Sequence, residues 1–507
     1  MPGGANASID RSHGVRTILL RRDEPVQSPT HNPLLFRSVS AFSLHNDEPD
    51  INDLLERGPL VGEVARWVAT CRPPMVVGIH GDWGSGKTSF LHQLQFALSG
   101  ECPQNASAPM GQPRYKDAAV VWFEAWRYQY EDAPVVALLH EIRAQLTWKS
   151  HFFTRLTRDG KKMAEVALRS ALLNMEEVTK MIGFQATHIE QAGEAWEKEH
   201  LSVSLPSHNI RDLLDNSIKE LLGGGKKPRR LVVIIDDLDR CEAQTAFRLL
   251  EGIKIYLNLS SCVFVLGINR REIERAIAKF IPAGPKTEKD ATESRGGERT
   301  DGDEVLVRAQ EYLEKLCSTI WPLRLPSRQQ QRQLAARWLD SATPRAVVEG
   351  ICGLIERHGC LPANPRKIKA LCNTVGLLLA RRAKELEAVA GVVPAEDAAA
   401  ILVVASISQF HPPLHRLLQA DATFYEEIRR WARSSDASNQ SRTHDVFRYL
   451  VRTHESFVDE KAPTQETDFS RATNLYVDPA YGNVLRIQTL IAEHLLTVAD
   501  LEPYLAM

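Results

Sequence analysis

The eight residues Gly81-Asp82-Trp83-Gly84-Ser85-Gly86-Lys87-Thr88 fit the spacing G-x-x-x-x-G-K-S/T without a gap. Residues of these types at this spacing bind phosphate. Glycines let backbone N–H groups come close to a phosphate chain, and a helix starting at the end of the loop adds positive potential. Lys87 is expected to reach the β- and γ-phosphates, and the Thr88 hydroxyl to ligate Mg²⁺. A second signal stands far along the chain, where Asp236-Asp237 closes the apolar run Leu231-Val232-Val233-Ile234-Ile235. Carboxylates at that strand end face the same crevice as the glycine loop. Asp236 is expected to hold Mg²⁺ through water, and Asp237 to polarise an attacking water. Asn269 directly follows the apolar run Cys262–Ile268. It is placed either to sense the γ-phosphate or simply to make a turn. Arg240, Arg270 and Arg271 are candidates for charge stabilisation, in cis or across a subunit interface. The run ends in Ile268-Asn269-Arg270-Arg271 rather than the Asn-Lys-x-Asp of a guanine reader, and Asp236 has no glycine three residues on, so ATP is favoured over GTP.

These residues need elements to hold them. Met75-Val76-Val77-Gly78-Ile79 reads as a buried strand opening into the glycine loop, and Ser89 to Leu98 as the amphipathic helix after it. Further strands are expected at Ala118–Phe123, Leu231–Ile235 and Cys262–Ile268. The helical patterns Pro134–Leu146 and Ala243–Leu257 separate them. Strands alternating with helices predict an α/β fold, a parallel sheet covered on both faces. A helix is expected from Asp53 to Thr70, ahead of Pro73-Pro74. The chain divides into a flexible leader over 1–48, an α/β nucleotide-binding domain over 49–326 and an all-helical C-terminal region over 327–507. The middle domain carries a charged helical insertion over 149–207 and a loop over 282–304 too poor in apolar residues to order itself. Beyond Pro326, helices are expected over 329–339, 344–356, 364–387, 396–409, 413–432 and 482–498.

Composition sets the limits. The chain has 507 residues, 43% of them hydrophobic, enough for roughly two to four domains with real cores. Its 62 Lys+Arg against 64 Asp+Glu leave a net charge of -2, so no overall basic field draws it to nucleic acid or anionic lipid. Local basic patches remain at Lys161-Lys162 and Lys226–Arg230. The 8 cysteines form no CxxC and are read as reduced, mostly buried thiols. There is no export signal, and the most apolar stretch, around Ala388 to Ile407, is broken by Pro394, Glu396 and Asp397. A cytoplasmic protein without a membrane span is expected.

Four blocks give the chain a family likeness: Asp53-Leu54-Leu55-Glu56-Arg57; Gly81 to Thr88 with Ser89-Phe90; Trp122-Phe123-Glu124-Ala125-Trp126-Arg127-Tyr128; and Ile235-Asp236-Asp237-Leu238-Asp239-Arg240-Cys241. On these, with Asn364-Pro365-Arg366-Lys367-Ile368-Lys369 further on, the chain resembles the KAP family of P-loop NTPases. The resemblance implies an ATPase core in which an extra strand separates the phosphate-loop strand from the magnesium-carboxylate strand, followed by a helical lid. It places Leu55 and Arg57 near the adenine and makes Arg366 a second sensor of the γ-phosphate. Read locally, Asn364-Pro365 is also a helix start, with Asn capping and Pro in the first turn. Trp122, Trp126 and Tyr128 are expected in the core. Two features depart from the family pattern. Many members carry membrane-spanning helices where this chain has its charged insertion, and the position of Asn269 is usually acidic.

The expected function is a Mg²⁺-dependent ATPase that switches conformation and oligomeric state with its nucleotide. The resemblance points to prokaryotic defence against phages or mobile elements, beside a separately encoded effector protein. A homo-oligomer is expected. A nucleic-acid-dependent motor and a slowly hydrolysing nucleotide-binding scaffold are the alternatives, and the overall charge does not point to nucleic acid.

Overall fold

The structure is a computed structural model, and it describes residues 42–101, 115, 118–131, 133–150, 206–222, 230–256, 259–281, 301–340, 345–387, 393–410, 412–426, 428–429, 490–494 and 496–505. Several expectations fall outside these residues: the leader over 1–41, the insertion over 151–205, the basic turn at 223–229, the loop at 282–300 and most of the helix expected over 482–498.

Five strands form one parallel sheet: β1 (Met75–His80), β2 (Ala118–Glu124), β3 (Arg230–Asp236), β4 (Cys262–Ile268) and β5 (Thr319–Pro322), in the order β2-β3-β4-β1-β5. The central strands are continuous apolar runs because helices bury both of their faces. Alternate residues go to opposite sides. Val77, Ile79, Val120, Val232, Ile234, Val263 and Val265 pack against α1 (Gly58–Thr70) and α2 (Lys87–Ser99). Val121, Phe123, Leu231, Val233, Ile235, Phe264 and Leu266 pack on the other face. There they meet α3 (Pro134–Ser150), α4 (Pro206–Leu221), α5 (Ala243–Tyr256), α6 (Arg270–Ala278) and α7 (Asp301–Leu316). β4 lies between β1 and β3, which is the interposed strand that the resemblance implies.

Two boundaries differ from expectation. β5 has no counterpart in the sequence reading: it is four residues long and ends in Pro322, tolerable only because it is an edge strand. α1 starts at Gly58, not Asp53. The Asp53 carboxylate accepts the N–H groups of Arg57 at 2.7 Å and Gly58 at 2.6 Å, and Glu56 sits at φ 53, where no helix continues.

The C-terminal helices α8 (Arg328–Trp338), α9 (Arg345–His358), α10 (Pro365–Glu387), α11 (Ala398–Phe410), α12 (Pro412–Ala420) and α13 (Val498–Leu505) share a separate apolar core. α11 is buried all the way round from Ala398 to Ile407, the signature of a bundle's central helix. Residues 398–407 of the most apolar stretch are thus core. Among the described residues, no helix is long and apolar enough to cross a membrane.

Residues 42–48, expected within the flexible leader, are instead stitched along α10. The Phe42 ring lies where a Cβ on Gly376 would be, about 2.2 Å away. His45 N–H donates to Asn373 Oδ1 at 2.9 Å, and Asn373 Nδ2 returns a bond to the His45 carbonyl at 2.9 Å. Lys369 Nζ donates to the Asn46 carbonyl at 3.0 Å, and Arg366 Nε to Asp47 Oδ1 at 2.9 Å. The helix partners 376, 373, 369 and 366 fall on successive turns of one face. The strap then crosses to α2, where Asp50 N–H donates to Ser89 Oγ at 3.1 Å and the Ile51 carbonyl accepts from Gln93 Nε2 at 3.1 Å.

Gly267 in β4 leaves the space that Asp236 uses. A Cβ there would stand 2.8 Å from Asp236 Oδ1 and 2.7 Å from Leu91 Cδ1. Gly267→Ala is therefore expected to lower unfolding free energy in urea by about 1–3 kcal/mol through overpacking. Gly353→Ala, whose Cβ meets nothing within 4 Å, is the control and should cost no stability.

Candidate functional site

The loop between β1 and α2 turns on two glycines in the left-handed region, Gly84 at φ 80 and Gly86 at φ 87. Side chains are strained in that conformation. Gly84 also has no room for one, since a Cβ would come within 2.6 Å of Asn364 Oδ1. The turn delivers Lys87 as the first residue of α2, with its side chain folded back under the loop. Lys87 Nζ donates to the Gly81 carbonyl at 2.8 Å and to Asp239 Oδ2 at 3.1 Å, and both side chains of that ion pair are almost wholly buried. Ser85 N–H closes the loop onto the Asp82 carbonyl at 3.0 Å.

Asp236 ends β3 at 1% exposure, and neither carboxylate oxygen has a hydrogen-bond partner. The Thr88 hydroxyl faces it without forming a hydrogen bond of good geometry. Burial, and then the neighbouring Asp237 charge, push the Asp236 carboxyl up to about 6. Two buried oxygens without partners beside a hydroxyl are a donor set that fits a hard divalent cation such as Mg²⁺. Asp237 follows in the left-handed region at φ 56, a conformation that aspartate adopts more readily than most residues. Its Oδ1 pairs with Arg240 Nε at 2.9 Å. Burial raises its carboxyl, while the Arg240 guanidinium pulls it back down.

The C-terminal helices meet this loop directly. Asn364 Nδ2 donates to the Trp83 carbonyl at 2.7 Å, Asn364 Oδ1 caps α10 by accepting Lys367 N–H at 3.2 Å, and Arg366 N–H donates to the Gly84 carbonyl at 3.3 Å. The Ser327–Gln330 capping box starts α8, and Gln330 Nε2 also donates to the Leu55 carbonyl at 2.8 Å. Between these elements lies a cavity of about 410 Å³. Trp83, Gly84, Gly86, Lys87, Thr88 and Ser89 line it from the loop, Asp236, Asp237 and Arg240 from the end of β3, and Arg366 from the helical region. Leu55, Leu334 and Trp338 supply apolar wall.

Other expected residues take different posts. The Arg57 guanidinium borders the cavity but is engaged with backbone, donating to the Ser85 carbonyl at 2.9 Å and the Arg324 carbonyl at 2.8 Å. Burial lowers it to about 10, against the pull of Asp53. Arg57 therefore braces the loop. Asn269 is not among the cavity's walls: its side chain caps α6 by accepting Arg271 N–H at 3.2 Å, the turn-forming alternative. Arg270 is held by Glu274 at 2.5 Å and Glu314 at 3.1 Å. The Arg366 side chain pairs with Asp47 of the strap at 2.8 Å. Trp126 is half-exposed rather than in the core, whereas Tyr128 stacks on Phe123 and Trp122 on His92.

The sequence reading missed the part played by Asp239. It stood in plain view within Asp236-Asp237-Leu238-Asp239, where a single helical turn returns it to the side of the loop lysine. Glu124, paired in register with Asp236 across the sheet and lining the cavity, was also overlooked.

Residues 59–293 match the family described as KAP family P-loop domain. No curated protein matches the chain. Among solved structures the chain is similar to the Aeropyrum pernix ORC2 protein, whose structure is of ADPNP-ADP complexes, with 10% identity, coverage of 90% of this chain and 98% of that one, and a TM-score of 0.36.

The contact between the loop and the C-terminal helices is separable by substitution. Asn364→Asp keeps an oxygen to cap α10 but loses the donor to the Trp83 carbonyl. Losing this half-buried hydrogen bond costs about 0.5–1.5 kcal/mol, so local opening should become roughly two- to tenfold more frequent. Hydrogen–deuterium exchange should quicken at the amides of 365–369 and 84–88 while those of α9 stay protected.

Proposed function

Since the chain carries a KAP family P-loop domain, we propose that it is a Mg²⁺-dependent ATPase whose helical region acts as a lid and whose conformational and oligomeric state follows the nucleotide. The observation that carries this is the convergence on one cavity of Lys87 and Thr88, the unpartnered Asp236 and Arg366 of the helical region, beside which Asn364 holds the loop through the Trp83 carbonyl. The loop N–H groups at the start of α2 hold the phosphate chain, and Lys87 neutralises its charge. Thr88 and Asp236 hold the cation, which when bound supplies positive charge against the β- and γ-phosphate oxygens. Asp237 accepts the proton of the attacking water, and Arg240, its ion-pair partner, sets its orientation. Arg366, once free of Asp47, reaches for the γ-phosphate and draws the lid down with it. The wall of Leu55, Leu334 and Trp338 suits a base that is flat and largely apolar. A role in defence with a separately encoded effector rests on the family resemblance.

Steady-state ATP hydrolysis tests the reading. Lys87→Ala and Asp237→Asn are each expected to lower turnover by about a hundredfold or more, the scale of losing a charge stabiliser or a general base. Specific activity should rise with protein concentration if neighbouring copies complete the site. Turnover indifferent to both substitutions would rule it out.

The raised Asp236 carboxyl sets the pH dependence. A carboxyl raised on folding stabilises the cation-free fold below its ordinary value of 3.8, and that contribution is lost as pH climbs through about 6. Below about 6 the cation must displace a proton. Apparent Mg²⁺ affinity, read by titrating Mg²⁺ against binding of a fluorescent ATP analogue, should be flat above about pH 7 and fall towards tenfold per unit of further acidification.

A further inference from the structure

Asp239 lies outside the roles assigned above, yet it joins three parts of the molecule. Its side chain is 1% exposed. A single oxygen, Oδ2, accepts Lys87 Nζ at 3.1 Å, the Trp83 indole N–H at 3.0 Å and the backbone N–H of Asn269 at 3.0 Å. Oδ1 is buried with no partner. The three donors belong to the glycine loop, the start of α2 and the turn from β4 into α6. Trp83 is itself 50% exposed, so one end of this buried arrangement reaches solvent.

An ion pair this deep has a consequence for any anion that wants the lysine. Of the three Lys87 N–H groups one serves Asp239 and one the Gly81 carbonyl, so an ammonium that moves toward a phosphate chain to bring more than the third to bear must lengthen or break its bond to Asp239. A phosphate that takes the ammonium leaves Asp239 as a buried carboxylate with only two neutral donors, which is costly. That cost opposes nucleotide binding, and its recovery favours product leaving. The oxygen freed of the ammonium then draws harder on the indole N–H of Trp83.

We propose that Asp239 is a positioning residue that clamps Lys87 while no nucleotide is bound, competes with phosphate for it, and passes the state of the loop to the exposed indole of Trp83. This deepens the ATPase reading and rests on it. A carboxylate that merely braced the loop would weaken binding when neutralised; a competing clamp strengthens it.

The test combines nucleotide binding with a Trp83 signal. Fluorescent ADP and ATP analogues are titrated into wild type, Asp239→Asn, Lys87→Ala and the double variant. Asp239→Asn is expected to bind both nucleotides about tenfold more tightly and to release ADP correspondingly slowly, as when a buried counter-ion no longer has to be displaced. In the Lys87→Ala background the same change should give no such gain. In 5-fluorotryptophan-labelled protein, the ¹⁹F resonance assigned to Trp83 by its absence in Trp83→Phe should shift when nucleotide saturates the wild type, and should shift less in Asp239→Asn, where only the direct effect of the nucleotide in the cavity is left. Weaker or unchanged binding in Asp239→Asn overturns the proposal. Should that variant fail to fold, a wild-type Trp83 resonance that stays put at saturating nucleotide overturns it alone. A wild type that binds no nucleotide at all overturns the ATPase reading and this proposal together, whereas binding with the wrong sign of change sinks this proposal only.

Discussion

An ammonium group leaves water only where acceptors surround it, and the burial of Lys87 is the constraint on which the rest of the site depends. The loop that covers it must curl tightly enough to offer the Gly81 carbonyl, which demands left-handed backbone at Gly84 and Gly86. A carboxylate must also arrive from elsewhere in the chain, and the short turn after β3 brings Asp239 to it. Arg57 grips the loop through the Ser85 carbonyl, and the C-terminal helical region grips it through the carbonyls of Trp83 and Gly84. The loop carbonyls of Gly81, Trp83, Gly84 and Ser85 are thus each taken by a side chain or an N–H of a neighbouring element.

The order of the strands serves the same end. With β4 between β1 and β3, the loop and Asp236 do not sit on adjacent strands, and both line the one cavity. Gly267 keeps β4 clear of Asp236. The carboxylates Asp236 and Asp237 are consecutive but differ in fate, one sunk among apolar neighbours without a partner, the other bent outward by its backbone and paired with Arg240. Two adjacent aspartates acquire separate chemistry from a single change of backbone direction.

Much of this was legible in the chain. The glycine loop, the four long strands and the helices on either side are written as apolar runs and turn residues, because burial on both faces leaves no freedom in what those positions hold. β5 escaped because an edge strand of four residues carries too little pattern to separate from its surroundings. Asp239 escaped for a different reason: its partners Lys87 and Trp83 lie more than 150 residues away, and no local spacing records a contact made through a sheet. Asn269 and Arg57 show the limit of reading roles from position. Each stands next to the site, but capping α6 occupies the first and loop carbonyls occupy the second. The strap at 42–48 was invisible for want of periodicity, since its order comes entirely from the helix it lies against.

That strap has a mechanical meaning. Its anchors on α10 are arranged like a row of stitches, with Phe42 at Gly376 farthest from the loop and Asp47 at Arg366 nearest. A load applied ahead of Phe42 does not bear on all of them at once. It bears on the far stitch first and moves to the next only when that one gives, so the bonds fail in series under small force rather than together under large force. Once the stitch on Arg366 has parted, the load passes to the bonds that Asp50 and Ile51 make with Ser89 and Gln93, on the helix that begins at Lys87.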